Sequence, residues 1–249
     1  MNRADARERA FHDRIFAEGT RRKLDKFYSV TSSSRDCYAS ILESLCAGRR
    51  VLEYGCGTAG FSVFMTWRGA SVTAVDISPI AIEQSRRWVS GKGVPGIRFC
   101  AMNAETLAFR DHSFDLVCGT GILHHLDLTK AIAELARVLT PGGTAVFIEP
   151  LGHNPLINFY RKLTPQMRSA DEHPLRMRDL KLASRYFGQV DCRFFHLHSL
   201  LAVPFRNRGF FDPLLGILEA CDRLLFAIAP FARRYAWTTV LRLSQPRRT

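Results

Sequence analysis

The chain reads as an α/β protein with a largely parallel sheet and helices on both faces. Between Arg50 and Glu149, short apolar runs alternate with amphipathic stretches, the rhythm of successive β-α units. The first run, Val51-Leu52-Glu53-Tyr54, leads into the glycine-rich turn Gly55-Cys56-Gly57-Thr58-Ala59-Gly60. A second run, Ser71 to Asp76, ends in an acid about twenty residues later, the layout of a nucleotide-binding half with its ligand over the carboxyl ends of the strands.

Each element has its own local reason. Asp36 to Ala47 shows helical spacing through Tyr38, Ile41, Leu42 and Leu45, then meets Gly48. Arg50 to Tyr54 is the first strand, Ala59 to Trp67 the following helix and Ser71 to Asp76 the second strand. Pro79 suits the first turn of a helix running to about Val89, with Ser78 as N-cap. Gly96 to Met102 is the third strand, Phe114 to Cys118 the fourth, and Thr129 to Leu139 an amphipathic helix. Pro141-Gly142-Gly143 turns into the fifth strand, Thr144 to Glu149. A Pro/Asn-containing stretch then precedes a helix at about Met177 to Phe187, strand six over Cys192 to Val203 and strand seven over Trp237 to Leu243. Between the last two strands lies an insertion, Arg206 to Ala236, too long for a hairpin turn. Within it Leu214, Leu218, Cys221, Leu225 and Ile228 recur at helical spacing, with Ile217 and Leu224 beside them and Glu219, Asp222 and Arg223 opposite.

A chain of 249 residues, 47% apolar, can bury a full core. MNRADARERAFHDRIF lacks the apolar core of a secretory signal, and its Phe11, Ile15 and Phe16 fit one face of a short helix. No uncharged apolar run is long enough for a membrane-spanning helix. The seven cysteines show no C-x-x-C pairing; Cys56, Cys100 and Cys118 read as small packing residues, which points to a reducing cytoplasm and against a disulfide framework or a metal site. Of the net charge of +12, residues 161–249 carry sixteen Lys/Arg against seven Asp/Glu, whereas residues 37–160 carry ten of each. A positive C-terminal third suits anionic lipid, an acidic substrate or RNA.

Together these residues resemble a class I S-adenosylmethionine (SAM) dependent methyltransferase. The resemblance rests on VLEYGCGTAG, on Asp76, on Met102-Asn103-Ala104-Glu105 with Leu107 and Phe109, on Phe114-Asp115-Leu116-Val117, and on Leu139-Thr140-Pro141-Gly142-Gly143, in that order over Val51 to Glu149. The run Ile122-Leu123-His124-His125-Leu126 is similar to the quinone and small-molecule branch, the methyltransferase type 11 group. The resemblance implies a doubly wound, Rossmann-like sheet of seven strands, order 3-2-1-4-5-7-6 with strand seven antiparallel. It implies one methyltransferase domain over 1–249: N-terminal helices at 1–47, a SAM-binding core at 48–150, and helical cap insertions at 151–175 and 206–236.

Several residues then acquire expected roles. Gly55, Cys56 and Gly57 let the backbone approach the ligand. Asp76, with Ile77 after it, takes the ribose hydroxyls, and Glu53 holds the methionine ammonium, which a dinucleotide does not offer. Asn103, Ala104 and Glu105 take the adenine, Asn103 standing where the family usually has an aspartate. Gly119 closes the fourth strand beside the cofactor, and Tyr28 resembles the aromatic that folds over it. On the acceptor side stand His125, His124 and Glu149, since an O–H or N–H acceptor must lose a proton. Asp115 reads as structural.

The expected activity is methyl transfer by direct displacement to a small or lipid-like acceptor. His153, Tyr160, Arg161, Asp171, Glu172 and His173 are polar residues of the first cap segment. No N/D-P-P-Y sequence follows strand four, which argues against amino-group methylation of adenine or glutamine, and no nucleic-acid-binding module is attached. The insertion helix packs on its own domain, makes a homodimer contact, or meets an anionic membrane, which places a cytoplasmic protein peripherally at the inner face of the membrane. The alternatives are an NAD-dependent oxidoreductase and a non-catalytic relative that binds a membrane or a partner.

Overall fold

A computed structural model describes residues 3–18, 25–94, 96–165, 169 and 172–247. Seven strands form one sheet: β1 (Arg50–Tyr54), β2 (Ser71–Asp76), β3 (Arg98–Ala101), β4 (Phe114–Thr120), β5 (Leu139–Pro150), β6 (Phe187–Phe195) and β7 (Thr238–Pro246). Their order is β3-β2-β1-β4-β5-β7-β6. Strands one to five pair in parallel, and β7 runs antiparallel to both β5 and β6. The expected order and the reversed seventh strand are both present.

The helices follow from apolar spacing and caps. They are α1 (Arg3–Glu18), α2 (Asp25–Tyr28), α3 (Ser32–Cys46), α4 (Gly60–Thr66), α5 (Pro79–Ser90), α6 (Leu128–Val138), α7 (Pro155–Leu163), α8 (Met177–Leu182) and α9 (Phe211–Ile228). Ser78 caps α5 by accepting from the Ala81 N–H, with Pro79 in the first turn. Successive strand residues point to opposite faces. Leu52, Tyr54 and Val117 join α6 residues Ile132 and Leu135 on one side, while Val51, Val72 and Leu116 meet Tyr38 and Leu42 of α3 on the other. Each such side chain, fully buried, contributes about 1.5–3 kcal/mol.

Local pattern misplaced four features. Strand six covers Phe187–Phe195, not Cys192–Val203; its partner β7 begins pairing at Thr238, and residues 198–205 coil into a 3₁₀ helix. Consequently the preceding helix stops at Leu182 and not at Phe187. β5 starts at Leu139 because Phe114 pairs with Leu139 and Leu116 with Thr144, so a bulge absorbs Thr140–Gly143. Finally, α9 buries Leu215, Asp222 and Phe226 and leaves Ile217, Cys221, Leu224 and Ile228 exposed. The expected solvent-facing acid is an internal cap: Asp222 accepts from the backbone N–H groups of Leu197, His198 and Ser199.

Candidate active site

The strand tips and the N-terminal helix enclose the site. Gly55 has φ +72° and Gly57 φ +49°, and a Cβ on Gly55 would stand 2.8 Å from the Ile122 side chain. These are left-handed conformations that glycine adopts freely. The turn opens onto a cavity of about 230 Å³ lined by Glu53, Gly55, Cys56, Gly57, Asp76, Ile77, Asn103 and Ala104, with Thr120 to Ile122 and His125 along the β4 side. A second space of about 370 Å³ adjoins it through Ile77, Met102 and Asn103, and carries Glu105 and Lys130 on its wall.

The two acids differ in setting. Glu53 is 5% exposed, and its Oε2 accepts from the Ser62 hydroxyl. Burial pushes its carboxyl up to about 7 against the lowering effect of the Ser62 hydrogen bonds. No side-chain cation stands within ion-pair distance of it among the described residues. A buried carboxylate with no cation paired to it is a fitting seat for a ligand ammonium. Asp76 is oriented by backbone donors, Oδ2 accepting from Gly57 and Oδ1 from Ser78, each at 2.9 Å. Asn103 Oδ1 accepts from the Glu105 N–H at 2.9 Å, which leaves its second lone pair and its amide group for a ligand.

Three expected cofactor residues are displaced from the main cavity. Tyr28 is half exposed on α2 and does not line it; α1, one helix earlier, covers the glycine turn instead. Gly119 sits inside β4, where a Cβ would come 2.6 Å from the Tyr54 carbonyl, so its smallness serves strand packing. Glu105 lies on the adjoining space, its Oε1 held by the Asp127 N–H at 2.7 Å.

In the turn after β4 the two histidines separate. His124 is buried, its Nδ1 bonded to Glu149 Oε2 at 2.8 Å. Glu149 is wholly buried, and its Oε1 accepts from the Ile122 and Leu123 N–H groups. Burial holds the His124 imidazole below its ordinary range, opposed by Glu149. His125 lines the cavity, and its Nδ1 lies 2.6 Å from Glu8 Oε1. The segment after β5 folds back here, with the His173 N–H donating to the His124 carbonyl. Of the polar residues expected in that segment, Asp171 lies outside the described residues. Asp115, expected to be structural, binds the Arg50 guanidinium and backbone on the far end of the strands.

Sequence reading missed two contributors. Glu8, His12 and Phe16, spaced by four on α1, present one face to the cavity, and that spacing was the available signal. Arg35, an exposed cation of α3, lines the same cavity.

A family model described as "Methyltransferase domain" matches residues 52–147. Residues 52–147 thus match a methyltransferase domain, which supports a class I, SAM-dependent core in this part of the chain. Its sequence is similar to a demethylmenaquinone methyltransferase of Deinococcus radiodurans, 38% identical over 104 residues, 41% of this chain and 43% of that one. It is also similar to a phthiotriol/phenolphthiotriol dimycocerosates methyltransferase of Mycobacterium ulcerans, 34% identical over 106 residues, 41% of this chain and 38% of that one. The chain thus spans less than half the length of these relatives. The methyltransferase fold extends further than the sequence likeness. A phosphoethanolamine N-methyltransferase of Haemonchus contortus, solved with S-adenosylhomocysteine, superposes over 96% of this chain and 60% of that one, with TM-score 0.67 at 17% identity. A geranyl diphosphate C-methyltransferase of Streptomyces coelicolor covers 85% of this chain and 79% of its own, with TM-score 0.61 at 14% identity.

Proposed function

We propose that the whole protein moves the methyl group of SAM by direct displacement to a small, lipid-like acceptor at an anionic membrane surface. The observation that supports the donor half is one cavity lined at once by Glu53, the glycine turn, Asp76 and Asn103. In this reading residues 48–150 are the cofactor core, and 151–175 with 206–236 form a substrate cap. Glu53 binds the ammonium, Arg35 faces the carboxylate, Asp76 takes the ribose hydroxyls, and Asn103 with Ala104 orients the adenine toward the adjoining space. When bound, the cofactor supplies an activated sulfonium methyl, so the protein needs to align the acceptor, exclude water and remove a proton.

His125 is the acceptor-side group. With Nδ1 donating to Glu8, its other ring nitrogen has a lone pair that can take a proton from an O–H or N–H acceptor. Both Glu149 oxygens and His124 Nδ1 are committed to one another and to the 122–123 backbone, so we assign these two residues to positioning this turn.

The lipid half is supported by the cap surface. Leu156, Phe159 and Leu163 on α7, and Ile217, Leu224 and Ile228 on α9, are all exposed. Ile157 of α7 and Leu215 of α9 share one buried cluster beneath them. Exposed apolar groups in a region with sixteen basic and seven acidic residues are the composition of an interfacial surface. No helix among the described residues is long and apolar enough to cross a membrane. The two similar enzymes are named for a demethylated menaquinone and for phthiotriol-type lipids, which fits the same acceptor class.

Calorimetry with S-adenosylhomocysteine tests the donor half, and Asp76→Ala should weaken binding by about tenfold or more, some 1.4 kcal/mol. Labelled methyl transfer from SAM to polyprenyl quinols and phenolic lipids in anionic vesicles tests the acceptor half. His125→Ala should slow that transfer with cofactor affinity retained. Absence of S-adenosylhomocysteine binding overturns the reading.

A further inference from the structure

The α1 face that closes the cavity brings a donor set together with His125. Glu8 and His12 stand one turn apart on α1, and His125 belongs to the short 3₁₀ turn after β4. The His12 and His125 ring nitrogens and a Glu8 carboxylate oxygen all lie within 4.8 Å of one another. Glu8 Oε1 is 2.6 Å from His125 Nδ1 and 3.0 Å from His12 Nε2. The three side chains are only 8–12% exposed. The other carboxylate oxygen, Glu8 Oε2, is buried with no hydrogen bond of standard geometry, the Ser169 hydroxyl being the further donor beside this carboxylate. Such orphaned polar atoms are rare in native proteins and call for an explanation.

We propose that Glu8, His12 and His125 bind a divalent transition-metal ion of the zinc, iron(II) or manganese class. Two imidazoles and one carboxylate suit these ions, whereas magnesium and calcium prefer oxygen donors throughout. Ligand bonds of about 2.0–2.2 Å place tetrahedral donors roughly 3.3 Å apart, so the two Glu8–histidine spacings of 2.6 and 3.0 Å need to open by about 0.7 and 0.3 Å. Rotamer changes on α1 supply that. Each imidazole then carries its proton on the other ring nitrogen, and Oε2 gains a partner as a second carboxylate donor. Three protein ligands leave at least one coordination position for water or an acceptor oxygen.

The surroundings supply support for the ligands. Ser169 Oγ stands 3.4 Å from His125 Nδ1, and the His124 ring, itself fixed by Glu149, lies 4.2 Å from the His125 ring centre to centre. The inference rests on the acceptor-side placement of His125 and recasts its role. In the loaded protein the imidazole would be a ligand, and the ion would hold an acceptor oxygen in its deprotonated form, the proton passing to solvent as the acceptor binds. It also ties α1 to the sheet across the mouth of the cofactor cavity.

The test uses the full chain, freed of metal by a chelator and titrated with cobalt(II), whose ligand-field absorption reports nitrogen and oxygen coordination. Zinc calorimetry and S-adenosylhomocysteine affinity are measured in parallel. The expected result is about one cobalt per chain at micromolar affinity or tighter, weakened at least about tenfold by Glu8→Gln and by His12→Gln. Cys221→Ser should leave it unchanged. Circular dichroism and an unchanged thermal unfolding midpoint establish that each variant is folded; if His12→Gln does not fold, Glu8→Gln decides. No stoichiometric binding, equal affinity in folded Glu8→Gln, or loss in Cys221→Ser overturns the site. S-adenosylhomocysteine binding without metal binding leaves the cofactor reading standing and His125 as a base held by Glu8.

Discussion

His124 Nδ1 and Glu149 Oε2 meet at 2.8 Å inside the protein, and the opposite carboxylate oxygen takes the Ile122 and Leu123 N–H groups. One side chain at the end of β5 thereby satisfies three donors of the turn that follows β4. That turn carries His125 to the cavity, so the position of His125 depends on a residue that does not line it.

Glu149→Ala orphans all three donors and should lower the unfolding free energy by about 3 kcal/mol or more, since each unsatisfied buried donor costs about 1–3 kcal/mol. Glu149→Gln keeps an oxygen for the two backbone groups, and a change of His124 tautomer restores the third bond. It should lose about 1 kcal/mol. Urea unfolding of both variants checks this, and equal losses would refute the account.

Cofactor affinity should depend on pH through Glu53. Its carboxyl is pushed up to about 7 by burial, and the ligand ammonium binds the ionised form. Binding therefore requires loss of a proton at lower pH, so affinity falls as pH drops through 7. From about pH 8 to about pH 6, S-adenosylhomocysteine should bind about tenfold more weakly, and Glu53→Gln should bind weakly with no such slope. Calorimetry across the range reads both.

Phe159 on α7 and Phe231 beyond α9 are 61% and 72% exposed. Removing them changes little inside the protein but removes apolar surface from the proposed membrane face. The double change to Ser should reduce binding to anionic vesicles by about tenfold or more, with thermal stability unchanged. Co-sedimentation measures it. Unchanged vesicle binding together with a loss of dimer in sedimentation velocity would assign the face to a second copy of the chain.

Asp222 should behave as a core residue despite its charge. It accepts from three backbone N–H groups and from the Ser199 hydroxyl, and its Oδ1 also meets His198 Nδ1 at 3.0 Å. Asp222→Ala should cost about 3 kcal/mol in denaturant unfolding, whereas Arg223→Ala on the exposed side should cost about 0.5 kcal/mol or less.

The nucleotide-binding half was legible because its signals are local. An apolar run forms a strand, a glycine permits a positive φ, and Ser78 before Pro79 starts a helix; in each case the neighbours in sequence are the neighbours in space. The placement of Glu53 and Asp76 at the cavity was readable for the same reason, since a strand end fixes where its next side chain points. The cap was harder. α9 is apolar around most of its circumference, so periodicity could not tell which side faces inward, and the 198–205 turn that needed a carboxylate lies far from Asp222 along the chain.

Composition and spacing between Val51 and Glu149 were thus enough to specify the layered sheet, its strand order once the family was recognised, and the acids at its edge. The folded chain alone settled whom those side chains meet: Glu8 with His12 and His125, Glu149 with His124, Asp222 with the 197–199 backbone. Backbone conformation is dictated by residues a few positions away, whereas a buried polar group is decided by whichever donor the fold brings within 3 Å or so, and that donor leaves no mark beside it in the sequence.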